Sequence, residues 1–394
     1  MTGALDGIRV LDLSRFIAGP ICAQILGDMG AEVLKVERPG GEEARAQGPF
    51  LDGESLYAMA YNRNKASVTL DTRHPDAVPV LERLVAWADV LVENYRPGTL
   101  EAMGFGWERL HAAYPRLVVT SLSGFGQTGP LARRALFDPI AQAASGLMSL
   151  TGEPDGPPML TGTYIADHVA GLYGAIGTLV ALMARTSSSV GQRVDVASLD
   201  ALVSVLGTRP MAYAMLGERP ERRASRDPYS APANAFAAAD GYVYLHAGTD
   251  SLFPRFCAAI GRDDLAADPR YATIASRLEH VESLESAVAA WTTSRSRRVI
   301  EETLAVAGIP CSAVADMADV VASPQLRARE MFVEIAGTPV GTAVLTGIPV
   351  KLDGTPGTIR TPPPRAGGDT DRILRDLLGL APDEIAALRA SGAI

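Results

Sequence analysis

Ile8-Arg-Val-Leu-Asp-Leu13, a helical run that Gly19-Pro20 opens and Met29 ends, and Ala31-Glu-Val-Leu-Lys-Val-Glu37 form the stretch on which the fold turns. The two short runs are rich in β-branched and aliphatic residues and read as strands. Pro20 sits where a first helical turn tolerates a missing N–H, and Gly30 stands where a helix ends. Strand, crossover helix and strand in that order imply a right-handed βαβ unit with parallel strands. The pattern then repeats. Ser67-Val-Thr-Leu-Asp71 is a third strand, Pro75 to Trp87 a helix, and Asp89-Val-Leu-Val-Glu93 and Leu117-Val-Val-Thr-Ser-Leu122 are further strands. Such alternation predicts a large, doubly wound, Rossmann-like parallel sheet.

Two helices follow, at about 138–150 and 164–185, then a strand at Gln192-Arg-Val-Asp-Val-Ala197 and a helix from about 199 to 216. The chain of 394 residues exceeds what one ordinary core serves, so a second domain is expected. We read 1–216 as a large α/β domain, the polar stretch 217–231 as a linker and 232–323 as a smaller α/β domain. Within the latter, Gly241-Tyr-Val-Tyr-Leu-His246 and Ile309-Pro-Cys-Ser-Ala-Val314 are strands. Residues 324–394 form a connector and C-terminal segment.

Composition narrows the function classes. A net charge of −9 argues against a nucleic-acid-binding surface. Cys22, Cys257 and Cys311 lie far apart, and the histidines at 74, 111, 168, 246 and 280 show no ligand spacing, so neither disulfides nor a metal site is expected. The N-terminal residues lack a signal-peptide pattern, and the apolar run 169–184 falls short of a membrane span. A cytoplasmic protein without membrane contact is the expectation.

Gly124-Phe-Gly126-Gln-Thr-Gly129 fits a dinucleotide fingerprint but follows the fifth strand, and Pro130 stands where a helix should begin; nicotinamide binding is rejected. Arg38, Arg73 and Arg96 each follow a strand, at the sheet edge where ligands of open α/β sheets bind, and suit a polyphosphate. Asp167, in Leu160-Thr-Gly-Thr-Tyr-Ile-Ala-Asp167, stands at the start of a helix whose next sixteen residues carry no charge, with Gly171, Gly174 and Gly177 at every third position. We expect that helix to be buried along most of its length. A carboxylate at its first turn either complements the helix dipole or, partly desolvated, serves as a nucleophile.

These pieces together resemble the class III coenzyme A transferases, a group that includes formyl-CoA and carnitine-CoA transferases and the α-methylacyl-CoA racemases. The resemblance rests on Leu5-Asp-Gly-Ile-Arg-Val-Leu-Asp12, Ala18-Gly-Pro20, Gly30-Ala-Glu-Val-Leu-Lys-Val-Glu-Arg38, Asn62-Arg-Asn-Lys65, Val92-Glu-Asn-Tyr-Arg-Pro-Gly98, Ser123-Gly-Phe-Gly-Gln-Thr-Gly-Pro130, Gly191-Gln-Arg-Val-Asp195, Ala307-Gly-Ile-Pro-Cys311 and Pro362-Pro-Pro. It implies an interlocked homodimer whose terminal segment returns to the large domain. It also implies no permanently bound cofactor, an acyl-CoA and a free carboxylic acid as partners, and Asp167 as nucleophile. By the same resemblance CoA is held by Ile17, Ala18, Arg38, Leu70, Asp71, Thr72, Arg73, Asn94, Tyr95 and Arg96. Where relatives carry basic residues, this chain has Ala102 and Ala135, and Ser230-Ala-Pro-Ala-Asn234 occupies the region of formyl-CoA transferase's glycine loop. Ser149 and Ala237 stand at the racemases' histidine and glutamate positions, and neither supplies an acid–base partner. CoA transfer is the expected reaction, ahead of racemisation and of CoA binding without chemistry.

Overall fold

The computed structural model describes residues 3–394. Contacts divide the chain into two compact units, one of residues 1–148, 160–219 and 326–394, the other of 149–159 and 220–325. The first carries six strands in one sheet: β1 (Arg9–Asp12), β2 (Glu32–Glu37), β3 (Lys65–Thr69), β4 (Val90–Glu93), β5 (Val118–Ser123) and β6 (Arg193–Ala197). Their spatial order is β3-β2-β1-β4-β5-β6, every pairing parallel. That is the doubly wound order in which strand succession reverses between β1 and β4, and the loops leaving those two strands open a crevice.

Four helices matter for the site: α1 (Ala18–Asp28), α2 (Ala77–Trp87), α3 (Asp138–Ser145) and α4 (Ile165–Ser188). One core cluster packs α2 on the face of the sheet made by Leu11, Leu34, Val68, Leu91 and Val119, and the other packs α1 and α4 on the face made by Val10, Val33, Val92 and Val118. The expected helix at 138–150 stops at Gly146, whose φ of +91° ends α3, and a four-residue turn of helix follows. The run at 199–216 is likewise two helices, 198–204 and 209–216.

The expectation for α4 needs correction. Its glycine stripe is closely packed: a Cβ on Gly171 would meet the Ala18 carbonyl at 2.7 Å, on Gly174 a methyl of Leu122 at 2.9 Å, and on the half-buried Gly177 Val194 at 2.5 Å. The opposite face is not buried. Leu172, Ile176, Val180 and Met183 are 51, 54, 62 and 71% exposed. Glycines buy close approach on one side only, and the aliphatic residues three and four apart form a second, uncovered stripe. The helix is long and apolar enough to cross a membrane by length and composition alone, but its glycine face packs on protein.

Residues 326–394 belong to the first unit. Arg360 donates to the carbonyls of Gly27, Gly30 and Ala31, at 2.8 Å each, and so ties the C-terminal segment to the turn that leaves α1. The second unit is built on three antiparallel strands, β7 (Ala233–Ala238), β8 (Gly241–His246) and β9 (Cys311–Ala313), with β8 in the middle. β7 is absent from our reading because Ala-Asn-Ala-Phe-Ala-Ala carries little strand preference; pairing along β8 makes it a strand.

Candidate active site

The turn that leaves β1 is held from below by buried charge. Lys65 reaches Asp12 at 2.8 Å, Lys35 reaches Glu42 at 2.8 Å, and Arg45 grips Glu37 at 2.6 Å; all but Arg45 are fully or nearly fully buried. Burial alone would raise the Asp12 carboxyl, but the ammonium groups of Lys65 and Lys35 reverse that and hold it below the ordinary range. Glu37 is likewise held down to about 2 against its burial, chiefly by Arg45 and Lys35. On this platform the chain makes a tight turn in which Phe16 adopts a φ of +61°, a conformation costly for a bulky residue. Glu42 accepts the Phe16 N–H at 2.9 Å and so fixes the strained residue.

From the other side of the crevice, Asn94 clasps the same turn. Its amide donates to the Arg15 carbonyl at 2.7 Å and its oxygen accepts the Arg15 N–H at 2.8 Å. The Arg15 guanidinium lies over the Tyr95 ring, 5.1 Å from its centre. Two cavities meet here. One, of about 340 Å³, is lined by Arg15, Phe16, Ile17, Ala18, Asn94, Tyr95, Arg96, Arg134, Phe137 and Asp167 among others. The second, of about 310 Å³, shares Arg15, Tyr95 and Thr99 with it and adds Arg38, Leu70, Asp71, Thr72 and Arg73. All eleven residues singled out in the sequence therefore line these two cavities. Arg38 and Arg73 share the second; Arg96 lines the first, as does Asp167. Leu70 is buried, its N–H bonded to the Glu37 carbonyl at 2.6 Å, while Arg73 is 82% exposed and 3.6 Å from Asp71.

Asp167 is half-buried on the first turn of α4. Its carboxyl is pushed up to about 7, first by desolvation and then by the negative charge of Asp138. Asp138 was legible in the sequence only as a helix start, since an Asp before Pro at a first turn looks like an ordinary cap. In the fold it is 2% exposed and caps a helix other than its own. One carboxylate oxygen accepts the N–H groups of Ala166 at 2.6 Å and Asp167 at 3.2 Å; the other accepts the Gln142 amide at 2.6 Å. Gln142, four residues on, accepts the Thr161 N–H at 3.0 Å. Asp138 and Gln142 thus buckle the incoming chain to α3 and set the start of α4. Its N-terminal N–H groups are consequently occupied, those of Ile165 and His168 by the carbonyls of Thr163 and Tyr164. They are not free to meet an oxyanion.

Around Asp167, Tyr57 and Tyr61 contact each other edge to face, and Tyr57 also meets Tyr164. The Tyr61 ring lies 5.9 Å from that of His168, whose Nδ1 donates to the Tyr164 carbonyl at 2.7 Å. Burial raises the phenols of Tyr57 and Tyr61, and the negative charge of Asp167 adds to both shifts. Beyond Gly124-Phe-Gly126-Gln-Thr-Gly129 no helix begins before Asp138, whereas a dinucleotide fingerprint opens a helix directly. No group of three metal-ligating side chains occurs among the described residues.

Comparison with known proteins extends this geometry. The model of CoA-transferase family III matches residues 5–370. A succinyl-CoA–D-citramalate CoA-transferase of Chloroflexus aurantiacus is 37% identical over 393 residues, covering 99% of this chain and 98% of that protein. A succinate–glutarate CoA-transferase of Agrobacterium fabrum is 37% identical over 383 residues, covering 95% of each. A crystal structure of a CAIB/BAIF family protein from Brucella suis superposes with a TM-score of 0.87 at 34% identity, over 96% of this chain and all of that one. A doubly wound sheet with its crevice at the strand reversal, and likeness over nearly the full length, lead to one conclusion: the chain belongs to CoA-transferase family III and is a CoA-transferase.

Proposed function

We propose that the enzyme moves CoA from an acyl-CoA to a free carboxylic acid through covalent intermediates on Asp167. The supporting observation is a half-buried carboxylate that lines a cavity and is raised to about 7 by desolvation and then by the charge of Asp138. Ionised, it is a desolvated nucleophile. Its oxygen bonds to the thioester carbonyl carbon, the C–S bond breaks, and CoA leaves as thiolate, with a mixed anhydride on Asp167. The thiolate then attacks the aspartyl carbonyl carbon, releasing the donor acid and leaving an aspartyl-CoA thioester. The acceptor carboxylate attacks that thioester and expels CoA thiolate, which takes the new acyl group and frees Asp167. Because the α4 N–H groups are occupied, the oxyanion donors we assign are the Ala18 and Gly19 N–H groups at the start of α1, ahead of Pro20, which has no N–H, and of Ile21, whose N–H is bonded to the Ile17 carbonyl; Ile17 and Ala18 line the cavity there.

CoA itself is proposed to lie along the two cavities, its phosphates met by Arg38 and Arg73 and by Arg15 and Arg96. The acid class we favour is the short dicarboxylates: two of the compared relatives are named for succinyl or succinate and a second diacid, and Arg134 lines the Asp167 cavity as a partner for a distal carboxylate. A homodimer is part of this reading, with a second copy of the chain proposed to cover the exposed aliphatic stripe of α4. Free cysteines at 22, 257 and 311 suit the reducing cytoplasm.

The test is to incubate the enzyme with succinyl-CoA and map Asp167 by peptide mass spectrometry after hydroxylamine quenching. A hydroxamate on Asp167, absent from Asp167→Asn, is expected. Transfer between succinyl-CoA and a diacid by Asp167→Asn at the native rate defeats the mechanism. Rapid α-deuterium uptake into a 2-methylacyl-CoA without an acceptor acid defeats the assignment of the reaction.

A further inference from the structure

Glu93 ends β4, immediately before the Asn94–Arg96 turn, and the mechanism above makes no use of it. Its side chain is only 4% exposed, and Oε2 accepts the Tyr95 N–H at 2.8 Å. Around it Arg96, Trp107, Ser121, Gln127 and Arg193 enclose a cavity of about 10 Å³, room for one water molecule. Two of the groups there, Gln127 Nε2 and Arg193 Nε, are buried without a hydrogen-bond partner. Arg193 of β6 donates to the Gln127 side chain, and the Gln127 N–H donates to Asp195 at 3.1 Å. The turn after β4 and the glycine-rich turn after β5 thus line one small polar cavity, and Asn94, Tyr95, Arg96, Ser123 and Gly124 of the same two turns line the active-site cavity.

We propose that Glu93 is a positioning residue for acyl-CoA: through the Tyr95 N–H and the small polar cavity it shares with Gln127 and Arg193, it holds the Asn94–Arg96 turn in register with the glycine-rich turn. The inference rests on the reading that this turn contacts CoA. The charged groups that face Glu93 are Arg193 from β6, Glu101 from the helical turn that follows, and Arg96 from its own loop. Burial pushes the carboxyl up to about 7, with Glu101 adding and the Ser121 hydroxyl, the Tyr95 N–H and Arg193 opposing. Glutamine keeps an oxygen for the Tyr95 N–H and is the conservative substitute. A residue that only fills space there loses nothing by going to leucine; one that accepts a hydrogen bond does.

The experiment measures kcat, the KM values of acyl-CoA and acceptor acid, and calorimetric binding of free CoA for the full-length enzyme and its variants. Glu93→Leu is expected to raise the acyl-CoA KM and the CoA Kd about tenfold, the loss of one buried hydrogen-bond acceptor. The acceptor KM and kcat should stay within about twofold. Glu93→Gln is expected to restore both CoA parameters, and Gln127→Leu, which reaches the cavity from the other turn, to move them in the same direction as Glu93→Leu. Native CoA affinity in Glu93→Leu, or Glu93→Gln as impaired as Glu93→Leu, overturns the proposal. If Glu93→Leu does not fold, Gln127→Leu with native CoA affinity overturns it. Arg96→Ala separates the two readings: unchanged CoA binding in that variant means the turn does not contact CoA, whereas weakened binding in Arg96→Ala beside native binding in the Glu93 variants sinks this inference alone.

Discussion

Two carboxylates of the first unit are withdrawn from water to different degrees: Asp12, fully buried at the end of a central strand, and Asp167, half-buried at the start of a helix. Asp12 has Lys65 at 2.8 Å and Lys35 near, so desolvation is overcome and its carboxyl is held low. Asp167 has a second carboxylate, Asp138, as its charged neighbour and is pushed up to about 7. The Asp12 network spends its charge inward, on ions and on the carbonyls of Ser14 and Pro20, and fixes the strained turn at Phe16. The Asp167 pair leaves its charge directed at a cavity. A buried carboxylate with a full set of partners builds structure, and one deprived of cations is ready for chemistry.

The strongest break in this contrast is Asp167→Asn. We expect transfer to fall about 10⁴-fold or more, as when a covalent nucleophile is lost, while the thermal midpoint holds or rises because an unpaired carboxylate has been removed. Steady-state kinetics and a melting curve measure both. Lys65→Met is the opposite experiment. Leaving Asp12 buried and unpaired should cost about 3–5 kcal/mol of stability in urea unfolding, and Asp12→Leu with Lys65→Met should recover most of it.

The pH dependence of stability should carry opposite signs in the two regions. Asp167 binds a proton in the folded state between its ordinary 3.8 and about 7 that the unfolded chain has released, so its contribution falls as pH rises through that window. Glu37, moved from 4.5 to about 2, contributes fully above 4.5 and loses that contribution as pH falls toward 2; Asp12 has the same sign. Thermal midpoints from pH 4 to 8 for the native enzyme and Asp167→Asn should converge at the acid end and separate as pH rises, with the variant the more stable. Parallel curves contradict it.

The smallest effect tests how Asp138 works. Asp138→Asn keeps an oxygen for the Ala166 and Asp167 N–H groups but removes the charge. The rising limb of the kcat/KM profile, set by ionisation of Asp167, should move to lower pH. The imperfect cap should lower kcat about fivefold, equivalent to roughly 1 kcal/mol. A limb that stays in place means desolvation alone sets the Asp167 carboxyl.

Local rules made much of this protein readable from its residues. The six parallel strands, α1 and α2 follow from short apolar runs punctuated by glycine and proline, and Arg38, Arg73 and Arg96 follow from the topology that sends strand ends to one edge. The two cavities they line, and Asp167 in one of them, continue that logic, because a doubly wound order brings the ends of β1 and β4 together whatever the side chains. What only tertiary structure decided concerns pairs distant in sequence. Asp138 caps a helix that begins 27 residues after it, Asn94 clasps Arg15, and Lys65 neutralises Asp12; each partner alone looks like an ordinary surface residue or cap. The uncovered face of α4 was likewise hidden, since apolar periodicity says which residues avoid water but not which neighbour covers them. Hydrophobic pattern is a property of adjacent residues. Whether a buried carboxylate is paired is set by groups that the fold brings from elsewhere, and so is its chemistry.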